Sequence, residues 1–201
     1  MNLDIILNEI KKIDWSTIKN QCGYCTHIPM AFPNLVDLDA NIRMHAYWNF
    51  DNDVVVQSNL YEGAFYVVPF VIQLLKNNIN ENRDHEELYD LLFEIGNGFG
   101  EGLVEFEIRT QPFVYYVPKK GGILWTLTEA CKEAVFSGWD IYYNDLMNTS
   151  SKNRKEALDL IGLFNNHIII QKTVMQKIVD MEPNSELGMA AKSYLDEVYY
   201  P

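Results

Sequence analysis

Residues 60–77 read LYEGAFYVVPFVIQLLKN, an apolar run with Pro69 at its centre. The run is long enough for about five helical turns, more than a strand normally spans. A proline inside a helix lacks the N–H for one backbone bond and crowds the preceding turn, at a cost of roughly 3 kcal/mol. Whether that is tolerated depends on where the ring points. On a helical projection Leu60, Ala64, Val68, Val71 and Leu75 form one apolar stripe, which Phe65, Phe70 and Ile72 widen. A second stripe carries Glu62, Tyr66, Pro69, Gln73 and Lys76. The expectation is a bent helix with Pro69 on its convex, outward side and the Phe65 carbonyl turned to water. The remaining surface is apolar enough to pack against neighbours on more than one side.

Most of the flanking sequence also has helical spacing. Leu3, Ile6, Leu7, Ile10 and Ile13 predict a short first helix, and Asp14 or Ser16 a cap for a segment over 15–20. Pro29 opens another segment, and Asp39 is the N-cap of ANIRMHAYWNF, where Ile42, Ala46 and Phe50 share a face. Asn82 or Asp84 caps a helix that buries Leu88, Leu91, Leu92 and Ile95 and ends in GNGFGEG, a terminator followed by a flexible loop. From Leu103 the period becomes two, with Val104, Phe106 and Ile108 alternating with Glu105, Glu107 and Arg109. A two-stranded excursion or an irregular insertion near 97–120 is expected. Gly121-Gly122 then starts a helical region to about Asn144. NRKEALDLIGLF, IIIQKTVMQKIVDM and NSELGMAAKSYLDEVY supply three more helices. The fold class expected is all-α, in layered antiparallel helices, as one domain over 1–201.

Composition narrows the function. The 201 residues are 48% hydrophobic, enough for one sizeable core. With 16 basic and 28 acidic residues the net charge is −12, which repels phosphate backbones and disfavours nucleic-acid binding. The same field speeds encounter with a basic protein. The start MNLDIILNEIKKIDW lacks the basic lead of a secretory signal, and no run is long enough to span a bilayer. The three cysteines are expected as reduced thiols in the cytoplasm.

A weak repeat runs through the helices. Arg43 and Ala46, then Arg154 and Ala157, share an Arg-x-x-Ala pattern, and Gly188 with Ala191 echoes it. The spacing suits stacked helix pairs. The stretch DWSTIKNQCGYCTHIPMAFPNLVDLDANIRMHAYWNF, followed by QSNLYEGAFYVVPFVIQLL, resembles a group of bacterial HEAT-repeat-like proteins. The resemblance rests on Trp15, Ser16, Asp39, Arg43, Ala46, Gln57, Tyr61, Glu62, Val68, Pro69 and Phe70, over roughly residues 13–100. Ser58 stands where that pattern has Gly, and Val55-Val56 where it has Trp-His. It implies an αα-superhelix of HEAT or armadillo type. Some members look like immunity proteins that neutralise a co-encoded toxin.

Asp51, Asp53, Gln57, Tyr61, Glu62, Glu101 and Glu105 are the candidate partner-binding residues: acids for a basic toxin surface, and polar or aromatic positions of the resemblance. Glu107 adds to the same charge run, which otherwise is a solvated face. The expected function is non-enzymatic protein binding with no cofactor. The competing reading is a metal or thiol site in Cys22-x-x-Cys25-x-His27. It lacks the βαβ setting of a redox pair and an obvious fourth zinc ligand. GNGFGEG does not follow a strand, and Glu101 would repel a phosphate. A helical-repeat enzyme acting on DNA is disfavoured by the net charge.

Overall fold

The structure, a computed structural model, describes residues 2–78 and 84–199. Asn2 starts α1 (Leu3–Ile10) by accepting the Asp4 N–H, and Ile6 and Ile10 turn inward. The helix expected over 15–20 does not form. Asp14 takes both the backbone and the hydroxyl of Ser16, a local bond that competes with helix, and the indole of buried Trp15 donates to the Ile10 carbonyl at 2.8 Å. The chain instead enters a two-residue ribbon, β1 (Lys19–Asn20) with β2 (Gly23–Tyr24). A short helix, α2 (Ile28–Ala31), and a 3-10 turn over Phe32–Val36 lead to α3 (Ala40–Val54), capped by Asp39 as expected.

On α3 the inward face differs by one position from the expectation. Ala46 and Phe50 are buried, but Ile42 is exposed and Arg43 goes in. Its guanidinium Nε reaches both carboxylate oxygens of Glu87 at 3.0 Å, and Nη1 reaches the carbonyls of Asp37 and Leu38. Saturated in this way, a buried charge is tolerated.

β3 (Val55–Val56) and β4 (Asn59–Leu60) form a tight hairpin whose turn residues, Gln57 and Ser58, both have positive φ. Such a turn matches the strand twist and favours glycine, so Ser58 holds a backbone conformation that costs it more than it would cost glycine. The hairpin delivers the chain into α4 (Glu62–Asn78).

Pro69 corrects the first expectation, because its ring is buried rather than on an outward back. A sheet packs on the same helix. β5 (Leu103–Arg109) is its centre, flanked by β6 (Tyr115–Pro118) and β7 (Ile123–Thr126), both antiparallel to it. The sheet lies on the stripe assigned to solvent: Tyr66 is fully buried and its hydroxyl donates to the Glu105 carbonyl at 3.2 Å. Phe65 stacks on Tyr116, and Phe70 meets Phe113 and Tyr115. α4 is therefore enclosed on nearly every side between its glutamate and its lysine.

The insertion is thus three-stranded and runs to Thr126, past the expected end near 120. Gly121-Gly122 starts no helix. The pair lets the chain cross β5 closely, and a Cβ on Gly122 would strike the Phe106 carbonyl.

The remaining helices are α5 (Glu86–Asn97), α6 (Leu127–Phe136), α7 (Trp139–Met147), α8 (Arg154–Gly162), α9 (Ile168–Met181) and α10 (Glu186–Tyr199). Asp84 accepts the Glu86 N–H at the start of α5, whereas Asn82 lies outside the described residues. α3 packs on α5, α5 on α8 and α8 on α10, while α1 packs on α4 and α4 on α6. The described chain is predominantly helical, with small antiparallel sheets. Arg154 repeats the behaviour of Arg43: it bonds back to the Leu146 carbonyl and forward to Glu182, with Ala157 buried three residues on. Among the described residues no helix is long and apolar enough to cross a membrane.

Candidate functional site

A groove of about 500 Å³ opens where the β3–β4 hairpin, the loop after α5 and the start of β5 converge. Its origin is a backbone graft. The Leu60 N–H donates to the Phe99 carbonyl at 2.8 Å, and the Phe99 N–H donates to the Ser58 carbonyl at 2.9 Å. Residue 99 is thereby added to the edge of β4. Gly98 and Gly100 permit this approach, since a Cβ on either would meet Leu60 side-chain atoms at 2.9 Å or less. Thr128 then clamps Gly100, donating to its carbonyl and accepting its N–H. The loop expected to be flexible is pinned at both ends of the graft.

The pinning aims Phe99 outward, 59% exposed, beside Leu103, also 59% exposed. Leu60, Tyr61 and Leu127 complete an apolar lining, and Glu62, Glu101 and Lys19 supply charge. Glu62 is half-buried and accepts the Lys19 N–H at 3.2 Å, so its carboxylate is held in place. Glu101 is exposed on the opposite rim. An apolar floor with carboxylates at its margin suits a side chain with an aliphatic stem and a cationic tip.

Of the candidate residues, Tyr61, Glu62 and Glu101 meet in this groove. The others do not join them there. Gln57 is exposed on the hairpin turn. Glu105 uses its carboxylate on the Gly121 N–H and its carbonyl on Tyr66, so it is a structural residue of the crossing. Asp53 is engaged by His27 and by the Asn20 amide. Asp51 is half-buried and held by Tyr47, and burial raises its carboxyl above the usual range. Phe99 and Leu103 were not candidates. Sequence shows them only as apolar residues after a glycine and before a strand.

A second acidic surface was also missed. Glu86, Asp90 and Glu94 climb α5 at four-residue spacing, and Glu156 and Asp159 face them from α8 across a cleft of about 330 Å³. Tyr47, Tyr89, Phe93 and Lys155 share its walls. Burial, then repulsion from Glu86, Glu156, Glu94 and Glu87, pushes Asp90 up to about 6. Glu94 is raised by burial and by Asp51, and Glu156 chiefly by burial. One oxygen of Glu156 is buried with no hydrogen-bond partner. The period of four along α5 was the available signal.

The cysteine cluster does not assemble into a centre. Cys22 is exposed, whereas Cys25 is buried and its thiol is pushed up to about 12 by burial and then by the Asp53 and Glu62 charges. A thiol held protonated is a poor nucleophile and a poor metal ligand. Among the described residues no three His, Cys, Asp or Glu side chains are grouped to hold a metal ion.

No family model matches the chain, and no curated protein or solved structure matches it either.

Proposed function

We propose that this chain is a non-enzymatic helical-repeat module of the αα-superhelix type that binds a basic protein, as an immunity protein does when it blocks a toxin. The observation that carries the reading is the groove, where Tyr61, Glu62 and Glu101 border the exposed rings and branches of Phe99 and Leu103. Apolar anchors ringed by charge are the usual composition of a binding hot spot. The net charge of −12 supports a cationic partner. The superhelix reading is supported by the packing of α3, α5, α8 and α10 in succession, and by the matching bonds of Arg43 and Arg154. The cysteines are free, which suits a reducing compartment such as the cytoplasm.

The test is a calorimetric titration with the basic protein encoded beside this chain. Tight binding that weakens as salt rises is expected, and Phe99→Ala should reduce it. A gene neighbourhood with no basic, toxin-like protein, or binding indifferent to salt and to Phe99, would refute the proposal.

A further inference from the structure

The two edges of the three-stranded sheet are finished differently. On β6, Tyr115 is buried, its hydroxyl donates to Glu9 of α1 at 2.8 Å, and Pro118 closes the strand. On β7 all four residues are exposed, with Ile123 at 41%, Leu124 at 56% and Trp125 at 43%. Its principal packing partners are β5 and the α6 that follows it. Edge strands are normally blunted by lysine, proline or a bulge. β7 has none within its span, and its register with β5 is unbroken from Leu103↔Thr126 to Phe106↔Ile123.

The register also fixes which backbone groups face out. The Glu105 carbonyl accepts the Lys119 N–H from the β6 side, so Glu105 points its backbone away from its opposite residue, Leu124. The bond from Leu127 N–H to the Gly102 carbonyl has the same phase. In an antiparallel pair the residues alternate between facing the partner and facing away. Leu124 therefore presents its N–H and carbonyl to the free edge, and Thr126 presents its N–H.

We infer that β7 is a self-pairing edge, through which two copies of this chain join antiparallel about a two-fold axis at Trp125. The Thr126 N–H of each strand donates to the Leu124 carbonyl of the other, and the two Trp125 side chains meet across the axis as a non-hydrogen-bonded pair. Charge selects a second copy over an unrelated strand. Exposed Lys120 leads into β7, and Glu129 lies in the first turn of α6 just beyond it, its carboxylate accepting the Thr126 hydroxyl at 2.6 Å, whereas Lys119 is paired with Glu107. Antiparallel self-pairing sets the basic end of each strand beside the acidic end of the other. This inference does not rest on the groove reading.

Sedimentation velocity tests it on the intact chain over a wide concentration range. The wild type is expected at twice the 23.3 kDa chain mass. Leu124→Pro sets a ring on the outward edge, where the other strand's backbone must approach, leaves the β5 ladder intact and should run as a monomer with unchanged helical circular dichroism. Should that variant lose its fold, Leu124→Lys at the same exposed position reads the same mass. Ile169→Lys, on α9 and 79% exposed in the wild type, should leave the dimer unaltered. A wild type at one chain mass throughout, open-ended higher species, a folded Leu124 variant that stays dimeric, or dissociation by Ile169→Lys would each overturn it.

Discussion

The groove at the β3–β4 hairpin and the cleft between α5 and α8 are both lined with carboxylates, yet they are built on opposite terms. In the groove, apolar side chains separate the acids, Lys19 sits among them, and Glu62 is anchored on a backbone N–H. In the cleft, five carboxylates share one wall space with a single lysine, and several are pushed toward their protonated forms. Acidic residues alone do not make a binding surface. The groove sets exposed apolar side chains on a frame of backbone bonds, which is what the proposed recognition role needs, whereas the cleft gathers like charges.

An ion pair ties α5, one wall of the cleft, to α3, and breaking that pair is the largest effect expected. Arg43→Ala leaves Glu87 buried and uncompensated, and should cost about 3–5 kcal/mol. Denaturant midpoints measure it, and a loss below about 1 kcal/mol would mean that Glu87 finds water. Groove geometry, far from this pair in sequence, should keep Phe99 exposed in any fraction that remains folded.

Phe99→Ala separates the two surfaces through binding. With its ring 59% exposed, truncation should barely change stability but weaken the basic partner by about 1–2 kcal/mol. Glu94→Gln, in the cleft, should leave that affinity unchanged. Equal losses from both variants would erase the distinction.

A smaller effect concerns pH. Asp90 has its folded pKa raised to about 6 from its ordinary 3.8, so the folded state holds the proton more firmly. Its contribution grows as pH falls from about 7 through 6, and it is fully present below the unfolded value. Because Asp90 is largely exposed, solvent screening reduces the gain to on the order of 0.5 kcal/mol. Asp90→Asn should raise the melting temperature at pH 7 and remove that part of the rise toward pH 5. Glu9 and Glu182 titrate with the opposite sign, since both are lowered in the fold, and they cancel in the comparison of variant with wild type. An Asp90→Asn profile parallel to the wild type would show that the cleft is not strained.

Much of the scaffold was readable from local pattern. The length of the apolar run made α4 a helix, and Asp39 marked the start of α3. The direction of Pro69 was not readable, because much of what packs on α4, α6 and the sheet included, arrives some way further along the chain. Tyr66 and Gln73 made their stripe look polar, yet a tyrosine is buried readily once its hydroxyl has an acceptor such as the Glu105 carbonyl. β7 does not announce itself as a strand, because Ile123, Leu124 and Trp125 carry no alternation, being exposed on both faces. For the groove, acidity pointed to Glu101, and the resemblance to Tyr61 and Glu62. Phe99 stayed hidden because its exposure follows from a non-local backbone pairing with β4. The period of four along α5 marks one acidic wall of the cleft, but the other wall needed α8 placed against α5, which no local period reveals.

Amide hydrogen exchange of this chain, alone and saturated with the basic protein encoded beside it, tests the central claim most directly. Protection should rise over residues 58–62 and 98–104, around the groove, and remain unchanged over 86–94 and 154–160. Protection confined to the α5 and α8 segments, with the groove exchanging as before, would contradict it.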